Sequence, residues 1–392
     1  MTRPSMAFFG SSLVSAYWNG AATYYRGIIR ALARQGWRVT FYEPDAFERQ
    51  AHRDIADPEW ARVVVYQPDA GGLERALAAA ADADVLVKAS GVGVNDETLE
   101  AALPAMRRPG QICLFWDVDA PATLERVHAN PTDPWHALVR QYDLVLTYGG
   151  GPPVVEAYLA LGARGCEPIY NAVDADVHCP VPPDPRFDAD LAFLGNRLPD
   201  REARVREFFL EPAERLERRR FLLAGNGWEP AGVPANVRVI GHLPTAEHNA
   251  FNCSPRAVLN INRTSMARMG YSPATRVFEA AGAGACLITD AWEGLELFLE
   301  PGREVLVASS GAEVASLVDR LTSRDARRIG AAARDRVLAE HTYAHRVDRL
   351  EEILDAALPE STRCSRTSDS SSSVFRSPRP GETAMPPPTA RW

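Results

Sequence analysis

Apolar positions in the first half of the chain form short strand-like runs, and amphipathic helical patterns lie between most of them. Residues 6–9 form a short apolar strand, and a helix follows whose face carries Tyr24, Ile28 and Leu32. Further strands are predicted at 37–42, 62–66, 83–88, 111–116 and 144–148, and helices near 70–81, 95–106 and 121–128. Alternation of this kind favours a parallel sheet with helices on both faces.

The second half repeats this alternation. Strands are predicted at 190–194, 220–224, 237–240, 257–261, 286–289 and 304–307, and helices at 200–218, 245–252, 273–284, 293–299, 312–322 and 325–340. A proline-rich stretch at 179–186 is a candidate hinge between the halves.

We therefore expect an α/β protein with two Rossmann-like domains, at 1–175 and 176–343, whose parallel sheets face each other across a cleft. A C-terminal helix is predicted at 344–358. Residues 359–392 are rich in Ser, Pro, Thr and Arg, so we expect a disordered tail that lies outside the fold. Ligands of open α/β sheets bind at the carboxyl ends of the strands, which places the expected site between the domains.

Composition narrows the class of protein. A chain of 392 residues with 46% hydrophobic and 24% charged residues fits a soluble protein of two or three domains. The net charge of −8 argues against nucleic-acid binding through a general basic surface. No apolar run is long enough to span a bilayer and no signal peptide is recognisable, so we expect a cytoplasmic protein without stable membrane insertion. The six scattered cysteines are typical of reduced thiols, and no metal or other cofactor is predicted.

The segment 271–290 carries the strongest functional signal. Ser272 is a good N-cap, Pro273 suits the first helical position, and helical spacing places Arg276 and Glu279 on the face of Ser272. A carboxylate and a guanidinium at the mouth of an α/β sheet suit a ligand with vicinal hydroxyls and phosphate. The alternative is that Arg276 and Glu279 form a surface ion pair that contributes little to stability.

Two carboxylates, Asp117 and Asp119, follow the strand at 111–116. We expect Asp117 to face the cleft and Asp119 to cap the helix that comes next. The spacing D-x-D leaves a divalent-cation site as an alternative.

Other polar and glycine positions also follow strands. Gly20 allows close approach of a ligand to the backbone, although a structural turn explains it equally well. Arg197 and Arg201 suit a diphosphate or solvate a charged helix, and Arg197 is preferred because it lies in the loop. Asn226 lies in a glycine-containing loop that a ligand could pass, and the glycines at 149–151 suit an anion nest or a tight turn.

Motifs of other enzyme classes are missing. The sequence contains no G-x-S-x-G elbow, no Walker A motif and no H-E-x-x-H. Hydrolase and NTPase functions are therefore disfavoured.

Taken together, these motifs resemble bacterial glycosyltransferases with the two-domain GT-B fold, and the CgeB-like proteins in particular. The resemblance spans about residues 6–350. Its most specific parts are Phe-Trp-Asp-Val-Asp-Ala-Pro at 115–121, Ile-Tyr-Asn-Ala-Val-Asp at 169–174, Arg-Val-Phe-Glu-Ala-Ala-Gly-Ala-Gly at 276–284, and the runs at 290–296 and 300–306.

The related retaining enzymes of glycosyltransferase family 4 carry two glutamates at a fixed spacing. The second matches Glu279 and implies a hold on the ribose hydroxyls of the nucleotide, whereas the first falls at Tyr271. The basic pair of that family, which holds the diphosphate, has its counterparts in Arg197 and Arg276. Its catalytic histidine falls roughly where Asp117 stands.

The resemblance implies a glycosyltransferase of the hexosyltransferase type, retaining and independent of metal. It would move a sugar from a nucleoside-diphosphate sugar, bound by the domain at 176–343, to an unknown glycan, lipid, protein or small-molecule acceptor, bound by the domain at 1–175. Two alternatives stay open: a non-catalytic GT-B protein that binds a glycan or nucleotide in a cell-surface assembly, and a GT-B nucleotide-sugar epimerase. The replacement of the first glutamate by Tyr271 favours the non-catalytic alternative.

Overall fold

The computed structural model describes residues 4–357. Its first half contains seven strands: β1 (Ser5–Phe9), β2 (Arg38–Pro44), β3 (Arg62–Tyr66), β4 (Val85–Ala89), β5 (Ile112–Asp117), β6 (Leu144–Thr147) and β7 (Cys166–Pro168). They form one parallel sheet in the order β3-β2-β1-β4-β5-β6-β7. The sequence did not predict β7, a three-residue edge strand that ends in proline and has no apolar run.

The helices of this half are α1 (Ala22–Arg34), α2 (Ala70–Ala80), α3 (Asp96–Met106), α4 (Ala120–Ala129), α5 (Trp135–Leu138) and α6 (Gly151–Ala160). Because successive side chains of a strand point to opposite faces, the sheet builds two cores. Along β5, Leu114 and Trp116 enter the core shared with α1, while Cys113 and Phe115 enter the core shared with α2 to α6.

The second half forms a six-stranded parallel sheet in the order β10-β9-β8-β11-β12-β13. Its strands are β8 (Leu191–Leu194), β9 (Phe221–Ala224), β10 (Val237–Val239), β11 (Ala257–Asn260), β12 (Leu287–Asp290) and β13 (Leu306–Ala308). Two parallel α/β sheets facing across a cleft were expected, and this prediction is confirmed.

The helices of the second half are α7 (Pro199–Val205), α8 (Glu211–Arg215), α9 (His248–Cys253), α10 (Thr264–Met269), α11 (Thr275–Gly282), α12 (Gly311–Arg320), α13 (Ser323–Glu340) and α14 (Tyr343–Ala357). A π-helical segment, Arg206–Leu210, joins α7 to α8, so the long helix predicted at 200–218 is continuous but irregular. Only the 3-10 turn Leu295–Leu297 forms where a helix was predicted at 293–299.

The last helix returns to the first sheet. Tyr343, Val347 and Leu350 of α14 lie in the same core as α1. A Cβ atom on Gly27 of α1 would lie 2.1 Å from the Tyr343 ring, so this close approach of the two helices requires glycine. The chain therefore crosses between the sheets twice. The first crossing joins β7 to β8 at 169–190, and the second joins α13 to α14 at 341–342.

The two crossings run side by side. The backbone N–H of Val173 donates to the carbonyl of His341 at 2.8 Å, and that of Tyr343 donates to the carbonyl of Val173 at 3.2 Å. These bonds tie the first crossing to the second at the place where the halves would hinge.

Between residues 4 and 357, no helix combines the length and apolar character that crossing a bilayer demands. The tail predicted to be disordered, 359–392, lies outside the described residues.

Candidate functional site

A cavity of about 380 Å³ lies between the carboxyl ends of the two sheets. The first half contributes the loop at 16–20, Thr23 and Tyr148, and the second half contributes the loops after β8, β9, β10 and β11 and one face of α11. Three larger grooves lie elsewhere. Those of about 810 Å³ between α2 and α3 and about 700 Å³ beside α4, α6 and α10 have mainly aliphatic walls, and one of about 580 Å³ lies beside Arg197 and Trp228. Only the interdomain cleft combines several cationic side chains with a buried carboxylate among these four cavities.

Glu279 is the buried carboxylate of this cleft. It lies on α11 with 7% of its surface exposed. Its Oε1 is 4.0 Å from Nε2 of His178, and its Oε2 is 3.9 Å from Nδ1 of His248. Both distances exceed the length of a hydrogen bond, so neither oxygen accepts a hydrogen bond from these histidines. Burial lowers the pKa of His248, and the adjacent Glu279 opposes that shift.

Arg276 precedes Glu279 on the same helical face, as predicted, and also lines the cleft. Its guanidinium donates to Oδ1 of Asn260 at 3.1 Å and to the carbonyl of Leu194, which anchors it to the ends of β11 and β8. Burial, and next the charge of Arg201, lowers the pKa of Arg276 to about 9. The group therefore stays cationic at neutral pH, in a position where it is poorly hydrated.

Arg201, in the first turn of α7, is the second cation of the cleft. A Cβ atom on Gly195 would lie 2.9 Å from Nη1 of Arg201 and 3.3 Å from Nη2 of Arg276, so both guanidiniums meet above this glycine. Burial lowers the pKa of Arg201, and its buried Nε lacks a hydrogen-bond partner within the described structure. Two desolvated cations beside a partly exposed glycine backbone form a place for an anion.

Arg197 does not reach the cleft, in contrast to the prediction. Its guanidinium pairs with Glu202 at 2.5 Å and lies 6.0 Å from the ring centroid of Trp228 on the outer side of the loop. The partner is local, because Glu202 lies five residues further along the chain in the first turn of α7 and holds the guanidinium. Arg201 takes the place that was expected for Arg197.

Gly20 and Asn226 line the cleft as expected. A Cβ atom on Gly20 would meet no atom within 4 Å, so packing does not require glycine there and the backbone is open to the cavity. The backbone N–H of Asn226 donates to Oδ1 of Asn196 at 2.9 Å, which holds the loops after β8 and β9 together.

Ser272 is not the N-cap of the helix, so this part of the prediction is wrong. The helix begins at Thr275 with Ala274 in the capping position, and the Ser272 hydroxyl donates to the carbonyl of Gly270 at 2.9 Å. Ser272 instead packs on Gly149, where a Cβ atom would lie 3.1 Å from its Oγ. It belongs to the contact between the domains and does not line the main cavity.

The glycines after β6 serve this same contact. The backbone N–H of Gly150 donates to the carbonyl of Tyr271 at 2.8 Å. This amide was a candidate for an anion nest, and it is already used between the two halves. The tight-turn alternative is the one that the structure supports.

Asp117 does not face the cleft, and this expectation is also wrong. The side chain is fully buried at the end of β5, where Oδ1 accepts from the Ser90 hydroxyl at 2.6 Å and from the backbone N–H of Asp119 at 3.0 Å. The Tyr158 hydroxyl of α6 donates to Oδ2. Asp117 therefore joins β4, β5 and α6 inside the first domain.

Asp119 faces the second domain and does not cap α4 with its side chain. Its Oδ2 accepts from Nη1 of Arg263 at 2.8 Å, and the same guanidinium donates from Nε to Asp200 at 2.5 Å. Burial raises the pKa of Asp119, while Arg263 opposes the shift. The D-x-D carboxylates do not fit a metal ion, because one is bonded inside the domain and the other is paired with arginine.

No group of three or more His, Cys, Asp or Glu side chains suited to hold a metal occurs within residues 4–357. Several residues near Glu279 or in the cleft wall were not predicted from the sequence, among them His178 beside Glu279, and His248 and Arg263 in the cleft wall. His178 comes from the first crossing and His248 from α9, so no spacing in the sequence links either of them to Glu279.

Comparison with known proteins agrees with this architecture. Residues 201–352, less than half of the chain, match a family model described as Glycosyl transferase-like. A search of curated proteins finds no significant match.

Solved structures of glycosyltransferases resemble the whole described fold. Sucrose-phosphate synthase from Thermosynechococcus elongatus is 15% identical with a TM-score of 0.64, and the match covers 91% of this chain and 100% of that chain. HepE from Anabaena, solved with UDP-glucose, is 12% identical with a TM-score of 0.61, covering 90% and 99%. An alpha-glucosyltransferase, solved with UDP-glucose and DNA containing an abasic site, is 11% identical with a TM-score of 0.68, covering 90% and 99%. At these identities the likeness shows the fold, and the predicted GT-B fold is confirmed.

Proposed function

We propose that the protein is a glycosyltransferase that moves a sugar from a nucleoside-diphosphate sugar to an acceptor. The observation that carries this proposal is the pairing of a buried carboxylate, Glu279, with two desolvated guanidiniums, Arg201 and Arg276, in one cleft. Vicinal hydroxyls and a diphosphate match these groups in charge and hydrogen bonding. The match of 201–352 to a glycosyltransferase-like family model supports the same reaction class.

In this proposal Glu279 accepts hydrogen bonds from the ribose hydroxyls of the donor. Its two oxygens have no hydrogen-bonding histidine at 3.5 Å or less, so both can accept from hydroxyl groups. Gly20 and Asn226 lie on the same cleft and are proposed to contact the donor through their backbone or side chain. Binding energy at the nucleotide then positions the anomeric carbon for transfer.

The diphosphate leaves during transfer, and negative charge grows on its oxygens. Arg201 and Arg276 lie above Gly195. Both guanidiniums are already desolvated in the free protein, so they lose little further hydration when the diphosphate binds. Preorganised cations of this kind stabilise the leaving group more in the transition state than water would. Closure of the two domains would exclude water and limit hydrolysis of the donor.

Finer features of the reaction are also part of the proposal. We propose a hexosyl donor, with UDP as the first nucleotide to test because HepE and the alpha-glucosyltransferase were solved with UDP-glucose. The poor fit of Asp117 and Asp119 to a cation supports metal independence. Retention of anomeric configuration rests on the resemblance of the Glu279 helix to family 4 enzymes, and membership of the CgeB-like group rests on the motifs at 115–121 and 276–284.

Location and acceptor class belong to the proposal as well. The five cysteines within residues 4–357 are free thiols, which supports a cytoplasmic location. The net charge of −8 argues against a nucleic-acid acceptor, although the alpha-glucosyltransferase was solved with DNA.

A second candidate is a non-catalytic GT-B protein that binds the nucleotide or a glycan. Tyr271 stands where family 4 enzymes carry their first glutamate, and its hydroxyl donates to Glu293 at 3.1 Å. It offers no carboxylate to a donor sugar, and this observation favours binding without transfer.

Two measurements separate the candidates. Thermal shift with UDP, GDP, ADP and dTDP identifies the nucleotide, since a ligand that binds only the folded state raises the unfolding temperature. Chromatography of the matching nucleotide-sugar after incubation with the protein then shows its fate. Release of the nucleoside diphosphate supports a transferase, an epimeric nucleotide-sugar supports the epimerase alternative, and binding without turnover supports the non-catalytic one.

A further inference from the structure

Trp18 is an outlier in the wall of the cleft. Its backbone has φ of +48°, a left-handed conformation that is unusual for a bulky residue. Half of the residue, 50%, is exposed, and it lines the interdomain cavity. Tryptophan is rarely left exposed without a partner, and backbone strain concentrates at functional sites.

The loop around Trp18 is rigid. The Asn19 amide donates to the carbonyls of Ser12 at 2.9 Å and Ser15 at 3.0 Å, and its Oδ1 accepts from the Ser11 hydroxyl at 2.9 Å. All four of these polar residues are buried. A buried and satisfied polar network fixes the backbone on both sides of Trp18, which lines the cavity.

One further ring packs against the indole. Tyr17 lies roughly perpendicular to Trp18, with centroids 6.4 Å apart and an interplanar angle of 82°. Tyr17 in turn stacks on His52 with centroids 4.0 Å apart. With this neighbour in place, half of Trp18 remains exposed, and the residue lines the cleft.

Trp18 lies on the wall opposite the donor groups. Glu279, Arg201 and Arg276 belong to the second domain, whereas Trp18 precedes α1 of the first domain. If the donor is held mainly on the second domain, as proposed above, the first-domain wall that carries Trp18 is left for the other substrate. We propose that Trp18 is the stacking platform of the acceptor site and that the acceptor presents a pyranose ring to it.

The chemistry of the surrounding wall selects a sugar. Thr23 lines the cavity on the side of Trp18, and Asn196 and His242 line it from the second domain, so the cavity offers hydroxyl, amide and imidazole groups. A purely aromatic or lipid acceptor would remove these groups from water without giving them hydrogen-bond partners. A pyranose has an apolar C–H face for the indole and hydroxyls around its edge for the polar groups.

Phe47 provides a matched control. It is also an exposed aromatic residue with a left-handed backbone, 53% exposed at φ of +57°, but it does not line the cleft. Its ring packs near Gly93 and the Arg49 guanidinium. Loss of an exposed aromatic ring can therefore be compared inside and outside the proposed acceptor site.

Saturation-transfer NMR tests the proposal with methyl β-D-glucopyranoside, methyl α-D-mannopyranoside and methyl β-D-galactopyranoside, each with and without UDP, and with phenol as the aromatic counter-probe. We expect at least one pyranoside to receive saturation on its ring C–H protons from the wild type and from Phe47→Ala. Trp18→Ala should weaken that signal about five-fold, and Trp18→Phe should keep most of it.

Three results would contradict the role proposed for Trp18. The proposal is overturned if no pyranoside receives saturation, if Trp18→Ala leaves the pyranoside signal intact, or if only phenol shows dependence on Trp18. Calorimetry with UDP separates this failure from a failure of the proposed function. Unchanged UDP affinity in Trp18→Ala shows an intact donor site, whereas absence of UDP binding in the wild type counts against the donor proposal alone.

Discussion

Arg263 of the second domain donates from Nη1 to Oδ2 of Asp119 of the first domain at 2.8 Å and so closes one side of the cleft. The same guanidinium is held from within its own domain by Asp200 at 2.5 Å. All three side chains are about one-third exposed, so water partly screens the pair. The contact therefore joins the two domains with an ion pair of modest strength, about 1 kcal/mol or less.

Asp119→Asn should loosen the contact between the two domains. It removes the interdomain charge pair and should lower the free energy of unfolding by about 1 kcal/mol while raising the radius of gyration in small-angle X-ray scattering. Asp200→Asn is the control, because it removes a partner of Arg263 within one domain. An equal change of radius in both variants would contradict a role of Asp119 in closure.

Arg201 and Arg197 form a matched pair of variants. Arg201→Ala should weaken UDP binding about ten-fold or more, since it removes a charge-assisted contact to the diphosphate. Arg197→Ala should leave the affinity within about two-fold, because that guanidinium pairs with Glu202 outside the cleft. Calorimetry of UDP binding to both variants measures the two affinities. A larger loss of affinity in Arg197→Ala than in Arg201→Ala would mean that Arg197 is the residue that contacts the diphosphate.

Asp117→Asn should act on stability. The buried carboxylate accepts hydrogen bonds from Ser90, Tyr158 and a backbone N–H, so its replacement should cost about 2–3 kcal/mol of unfolding free energy in urea titrations. UDP affinity of the folded protein should not change. Normal stability together with lost donor turnover would instead indicate a direct part for Asp117 in the chemistry.

The second crossing between the domains makes stability depend on pH. Burial, with added repulsion from Arg346 and Arg336, lowers the pKa of His341 from 6.5 to about 3. Between these values the unfolded chain binds a proton that the folded chain does not, so stability falls as the pH drops below 6.5. The loss at pH 5 should be about 2 kcal/mol.

His341→Gln tests this effect, because glutamine does not titrate and can still accept from Arg346, which lies 3.0 Å from Nδ1 in the wild type. Urea titrations at pH 7 and pH 5 should show a smaller difference in the variant than in the wild type. Equal differences would mean that His341 does not carry the dependence.

Most of the fold follows from local patterns in the sequence. The alternation of apolar runs and helical periodicity predicts every strand except β7, because buried parallel strands are nearly continuous in apolar residues. Helix α10 lacked such a signal, since it has six residues and its contacts reach α4 of the other domain. The packing of α14 on α1 likewise depends on a contact between distant parts of the chain.

The site was only partly predictable, for two physical reasons. Helical spacing placed Arg276 and Glu279 on one face, and both line the cleft. Asp117 is the last residue of β5, and the alternation of the strand turns its side chain toward Tyr158 of α6, which no local pattern reveals. Arg197 and Arg201 lie four positions apart, and only Arg201 lines the cavity, because the Arg197 guanidinium pairs with Glu202.

The carboxylate of Glu279 is central to the account, and calorimetry of UDP binding tests it most directly. The wild type should bind UDP, and Glu279→Ala should bind it about 10–100-fold more weakly, because two hydrogen bonds from ribose to a charged acceptor are lost. Glu279→Gln, which keeps the shape but not the charge, should fall between them. Unfolding temperatures should be similar in all three proteins. Equal UDP affinity in the wild type and Glu279→Ala would contradict the account.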